Sequence, residues 1–154
     1  NKTNIWNGIH CIDLFRYFCG EIKSMKSSAS CFNSKYNDTF NNLINFNNGA
    51  VGHFISNWFS PGNWSVEIIT KNYRIDICPL EETKVTDIEG DVKHIILNDK
   101  DKLYKPGFYD QNKYFIECVK KNQKIKFPAS DLEDAYHSMV LAENINDGVN
   151  IEEG

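Results

Sequence analysis

The chain has no Gly-x-Gly-x-x-Gly turn between a strand and a helix, so the backbone cradle that holds a dinucleotide pyrophosphate is missing from it. It has no Cys-x-x-Cys pair either. Its five cysteines, Cys11, Cys19, Cys31, Cys78 and Cys118, are odd in number and widely spaced, which signals neither a zinc site nor a redox motif. They fit buried free thiols in a reducing cytoplasm. His53, His94 and His137 share no ligand-type spacing with carboxylates, so no metal is expected. No apolar run approaches the roughly 20 residues that span a bilayer, and no signal peptide is visible. The expectation is a cytoplasmic protein without a membrane partner.

Basic excess is also lacking. The net charge is -4, which gives no electrostatic reason to expect nucleic acid. The densest basic patch, Lys120, Lys121, Lys124 and Lys126, reads as a solvated helix end favoured by the helix dipole. What is present suffices for a core: 41% of residues are hydrophobic and 13% aromatic, over a length of 154 that suits one domain.

The most informative stretch runs from Asn4 to Gly20. Apolar residues on neighbouring faces predict a helix, with Gly20 where a C-cap needs positive φ. His10 and Asp13, three apart, point roughly the same way near its N-terminal end.

Short strands follow. Glu21 to Phe32 alternates loosely; Thr39 to Phe46 enters Asn47-Asn48-Gly49, and Ala50 to Trp58 leaves it, a strong hairpin signal. Trp64 to Thr70, Tyr73 to Cys78, Thr83 to Ile88 and Val92 to Leu97 continue the run, with turns at Lys71-Asn72 and Glu89-Gly90-Asp91. Asp99 to Pro106 reads as a charged connection. Helical spacing resumes from Tyr109 to Lys121, and Ser130-Asp131-Leu132-Glu133 reads as a capping box opening a last helix. The layout is α+β, with helices on one face of an open, mostly antiparallel sheet, in a single domain over residues 1–154.

With its Gly8, His10, Asp13 and Gly20, the opening segment resembles the start of the C-terminal domain of the Gfo/Idh/MocA oxidoreductases, named for glucose–fructose oxidoreductase and inositol dehydrogenase. The hairpin, Ser56-Asn57-Trp58 and the two late helices extend the similarity over nearly the whole chain. The resemblance implies a dihydrodipicolinate-reductase-like C-terminal fold whose free sheet face makes subunit contacts, hence a homo-oligomer. It implies an NAD(P)-dependent hydride transfer on a sugar, polyol or sugar nucleotide. NAD or NADP would sit mainly on an N-terminal Rossmann domain, which also carries a catalytic lysine in a Glu-Lys-Pro segment; neither is in this chain. A start at Asn1 rather than Met likewise suggests a fragment, inactive alone.

Within that frame His10 fills or assists the role of proton acceptor, against the competing reading of a packed helix histidine. Asp13 binds a substrate hydroxyl or orients the imidazole, or else forms an ion pair with Arg16 or a lysine on a partly exposed turn. Many family members place an aspartate four residues before the histidine, where this chain has Trp6; Asn7 is one residue out of register. Trp6 can stack on a sugar ring but cannot share a proton. Trp6, Asn7 and Gln111 complete the substrate-binding candidates. Trp58 and Trp64 wall a carbohydrate pocket or, more commonly, pack in a core or interface. The departure at Trp6 motivates the alternative: a non-catalytic sugar-sensing or structural dimerisation module of the same fold.

Overall fold

The structure is a computed structural model that describes residues 8–152; Trp6 and Asn7 lie outside the described residues. The order of elements is α1 (Ile9–Cys19), β1 (Ile22–Ser30), β2 (Thr39–Phe46), β3 (Val51–Asn57), β4 (Val66–Ile69), β5 (Tyr73–Ile77), β6 (Thr83–Asp87), β7 (Val92–His94), α2 (Asp99–Leu103), α3 (Phe108–Lys121) and α4 (Leu132–Asp147). The chain is α+β and its strand pairs are antiparallel, as expected. The strands divide between a sheet of order β1-β2-β3 and a sheet of order β4-β5-β6-β7. Two compact units result, residues 1–61 with 130–154, and residues 62–129.

The first unit holds the main core. On β2 the alternation of a strand turns Phe40, Asn42, Ile44 and Phe46 inward, all buried, while Asn41 and Leu43 face out. Met25 of β1 and Phe54 of β3 join them, and Ile12 of α1 with Leu141, Ala142 and Ile145 of α4 closes the layer. Each fully buried Phe or Ile of this set contributes about 1.5–3 kcal/mol. The phenylalanines of these strands therefore belong to the core. The outward face carries Lys26, Asn41 and His53 beside Leu43, Val51 and Ile55, so it mixes polar and apolar side chains.

Turns and caps follow local chemistry. Gly49 has a φ of 87° in the β2–β3 turn, where a side chain would be strained. Gly20 ends α1 at a φ of 78° and donates to the Arg16 carbonyl. The cap of α4 is Asp131, one residue past the expected Ser130: its carboxylate accepts from the Asp134 N–H, because Asp131 holds the extended backbone of an N-cap. After α4 the chain returns to the free edge of β1, where Met25 and Ile151 exchange two backbone hydrogen bonds of 2.9 Å.

In the second unit, β4 to β7 form a meander. Val66, Ile68, Ile75, Ile77 and Val85 share one face; Arg74, Asp76 and Lys84 share the other, with Asp76 3.3 Å from each cation. Burial opposes the Asp76 charge, but Lys84 and Arg74 outweigh it and hold its carboxyl below the usual range. The segment expected to be a charged connection contains α2, capped by Asn98, which accepts from the Asp101 N–H.

Candidate functional site

His10, Asp13 and Arg16 recur every third residue along α1, which sets them on adjoining faces of one helix. They are progressively buried. His10, the second residue of the helix, is exposed; Asp13 is half-buried; Arg16 is buried. Among the described residues no side chain caps the first turn, whose N-cap is Gly8.

The inner end of the stripe is clamped by α4. Arg16 Nη1 donates to the Asp134 carbonyl at 2.7 Å and lies 2.6 Å from its carboxylate, and Nη2 donates to Glu21 at 2.7 Å. Burial works against the guanidinium charge, yet Glu21 and Asp134 more than offset it, so Arg16 holds its proton more tightly than an ordinary arginine. On the other side, the Ser130 hydroxyl contributes first to holding the Asp134 carboxyl below the usual range; burial opposes this, and Arg16 adds to it.

Asp13 does not pair directly with Arg16. The buried Ser138 hydroxyl stands between them: it accepts from Arg16 Nη1 at 2.9 Å and donates to Asp13 Oδ1 at 2.6 Å. The second carboxylate oxygen, Oδ2, makes no hydrogen bond among the described residues. The geometry thus offers an imidazole at the helix surface and, one turn inward, a half-buried carboxylate held at Oδ1 by Ser138. An imidazole can take a proton near neutral pH, and a carboxylate can accept from a hydroxyl.

Gln111 lies on α3 in the second unit and is exposed. Its neighbour Asn112 donates its amide to the Phe108 carbonyl at 2.7 Å and lines an open groove of about 570 Å³ with Tyr104, Phe108 and Tyr109. Trp58 packs against the core of the first unit, as the packing alternative had it, whereas Trp64 belongs to the second unit. Of the five thiols, all free, Cys118 alone is buried; Cys31 and Cys78 are exposed, contrary to the expectation of buried thiols. Burial pushes the half-buried Cys11 and Cys19 up. Among the described residues no three His, Cys, Asp or Glu side chains are grouped to hold a metal. No described helix is long and apolar enough to cross a membrane.

Sequence reasoning passed over Ser138, Asp134 and Glu21. One signal was available: Ser138 interrupts the apolar face of α4 three residues before Leu141 and four before Ala142, a small polar residue at a core position.

Comparison with known proteins places these features in context. Residues 5–76 match the family model of the GFO/IDH/MocA C-terminal domain. No curated protein matches the chain. Among solved structures, UDP-N-acetylglucosamine 3-dehydrogenase from Acidithiobacillus ferrooxidans is similar with a TM-score of 0.74 at 13% identity, over 92% of this chain and 45% of that one. Levoglucosan dehydrogenase, in complex with NADH and levoglucosan, gives 0.74 at 16% identity over 97% and 50%. Aldose-aldose oxidoreductase from Caulobacter crescentus, complexed with glycerol, gives 0.73 at 17% over 94% and 45%. At such identities the likeness is one of fold, and the chain spans about half the length of the structures it matches.

Proposed function

Because its residues 5–76 belong to the GFO/IDH/MocA C-terminal domain family, we propose that this chain supplies the substrate-binding and oligomerisation domain, residues 1–154, of a cytoplasmic NAD(P)-dependent oxidoreductase acting on a sugar, polyol or sugar nucleotide. The observation that carries the reading is the placement of His10: exposed in the first turn of a helix that is anchored through Arg16, with Asp13 one turn inward. The residues described here do not fit a dinucleotide, since they hold no glycine-rich strand-to-helix turn. The hydride acceptor is therefore assigned to another domain of the full-length protein, and the isolated chain is inactive.

What this chain contributes is the proton side of the reaction. His10 takes the hydroxyl proton of the carbon being oxidised, and Asp13 Oδ2 accepts from a neighbouring substrate hydroxyl. Trp6 and Asn7 are further substrate contacts in this reading. Leu43, Val51 and Ile55, exposed together on the outer face of β2 and β3, support self-association through that sheet.

The test is His10→Ala in the full-length protein, assayed with NAD+ and NADP+ on D-glucose, myo-inositol and UDP-N-acetylglucosamine. Turnover falls by about 10² to 10⁴, the usual share of a general base, while KM for the dinucleotide stays unchanged. Normal turnover with only a lowered Tm makes His10 a packing residue and sinks the assignment. A second reading, a sugar-sensing or structural module without catalysis, is favoured by Trp6 standing where many family members carry a carboxylate. It predicts that the wild-type protein oxidises none of the three substrates.

A further inference from the structure

We infer that Ser138, held by Arg16, is a positioning residue that aims Asp13 at the substrate. The inference rests on the proposed function and names a part of that site on α4, more than a hundred residues away in sequence.

A serine hydroxyl has one hydrogen to give and two lone pairs. Arg16 can only donate, and its Nη1 sits 2.9 Å from Ser138 Oγ, so one lone pair is taken. The single hydroxyl hydrogen is then directed to Asp13 Oδ1, 2.6 Å away. Ser138 is 2% exposed and Arg16 8%, so water does not compete for either bond. Arg16 is itself held on both sides, by Asp134 and by Glu21, and cannot turn to meet Asp13 directly.

The consequence falls on one rotatable group. A half-exposed aspartate normally samples several orientations, at an entropic cost when a ligand fixes it. Here Oδ1 is fixed before any ligand arrives. That leaves Oδ2 with far less freedom, on a residue one turn from His10 along α1. The Arg16 charge, passed through a hydroxyl, orients this carboxylate without neutralising it, as a direct Arg16–Asp13 ion pair would. A serine at 138 therefore does what neither alanine nor a second carboxylate there can do.

The test uses the full-length protein and the three substrates named above, with KM read separately for sugar and for dinucleotide. Asp13→Asn and Ser138→Ala each raise sugar KM by about 10- to 100-fold, the loss of one hydrogen bond to a charged group. Dinucleotide KM does not move. The double variant Ser138→Ala, Asp13→Asn is no worse than Asp13→Asn alone, because Ser138 acts only through Asp13. Ser138→Thr, which keeps the hydroxyl, restores most of the affinity; if Ser138→Ala does not fold, Ser138→Cys, nearly the same size and a weak donor, takes its place.

Two results overturn the inference while sparing the proposed function. One is an unchanged sugar KM in Ser138→Ala. The other is a Ser138→Ala effect that multiplies with that of Asp13→Asn, which marks loosening of the fold rather than aim. If Asp13→Asn itself leaves sugar KM unchanged, Asp13 is no substrate ligand and the inference falls, with the His10 result still standing. If no substrate is oxidised by the wild type, the proposed function fails and takes the inference with it.

Discussion

Gly52 and Phe15 meet so closely that a Cβ on Gly52 would lie 2.6 Å from the Phe15 ring. The ring has nowhere easy to go: it stacks on Phe46 with centroids 6.3 Å apart and meets Phe54 edge-on at 6.3 Å. Glycine at 52 is what lets α1, and with it His10, lie this close to β3.

Gly52→Ala is therefore expected to cost about 1–3 kcal/mol, the usual range for forcing extra carbon into a packed core. Urea unfolding measures it directly. Gly52→Ala combined with Phe15→Leu recovers part of the loss. Full stability in Gly52→Ala would show that α1 shifts outward without penalty.

Acid should loosen the loop between β1 and β2. The buried Asp38 carboxylate accepts from the N–H groups of Phe32, Asn33 and Ser34 at 2.8–2.9 Å and from the Thr39 hydroxyl at 3.1 Å. Burial opposes its charge, but these bonds prevail and its carboxyl sits below the usual range. A carboxylate depressed in the folded state stabilises fully above its unfolded pKa, about 3.9. That stability is lost as pH falls through the lower folded value. Tm should hold from neutrality to about pH 5 and decline below about pH 4. Asp38→Asn should lower Tm at neutral pH and flatten the acid limb; an unchanged limb would assign it to other carboxylates.

Asn42 is fully buried, accepts from the Ser27 hydroxyl at 2.5 Å, and among the described residues leaves its amide nitrogen without a partner. An unsatisfied buried donor costs about 1–3 kcal/mol. Removing both polar partners, as Ser27→Ala with Asn42→Leu, should leave stability equal or higher, while Ser27→Ala alone should lower it. A large loss in the double variant would mean the pair is worth its burial.

A charge on the outer sheet face reports on assembly. Ile55→Lys or Val51→Lys, on side chains 59% and 65% exposed, should leave the unfolding midpoint of the isolated subunit unchanged and weaken self-association in sedimentation. A wild-type monomer at tens of micromolar, roughly the range in which a modest interface is still populated, would rule out that face as an interface.

Much of this architecture was legible from local pattern. Thr39 to Phe46 and the Asn47-Asn48-Gly49 turn were readable because alternation and φ > 0 are properties of a few adjacent residues. Asn42 broke that alternation invisibly, since its partner Ser27 lies on another strand. The α2 helix, Asp99–Leu103, is too short and too charged for any apolar period to show. Of the candidate site, His10 and Asp13 stood out by their spacing on one helix. The burial of Arg16 did not, because what buries it, Asp134 and Ser138, is contributed by α4.

The first unit is assembled from two separated pieces of chain, residues 1–61 and 130–154. On a ribosome, chain is delivered in order, at about 5–20 residues per second. The inward faces of β2 and α1 thus emerge long before Leu141, Ala142 and Ile145 arrive to cover them. Residues 62–129 have all their own strand partners by then. The inserted unit can fold early, while the helix bearing His10 waits for α4 to emerge, exposed to proteases and to chaperones in the interval.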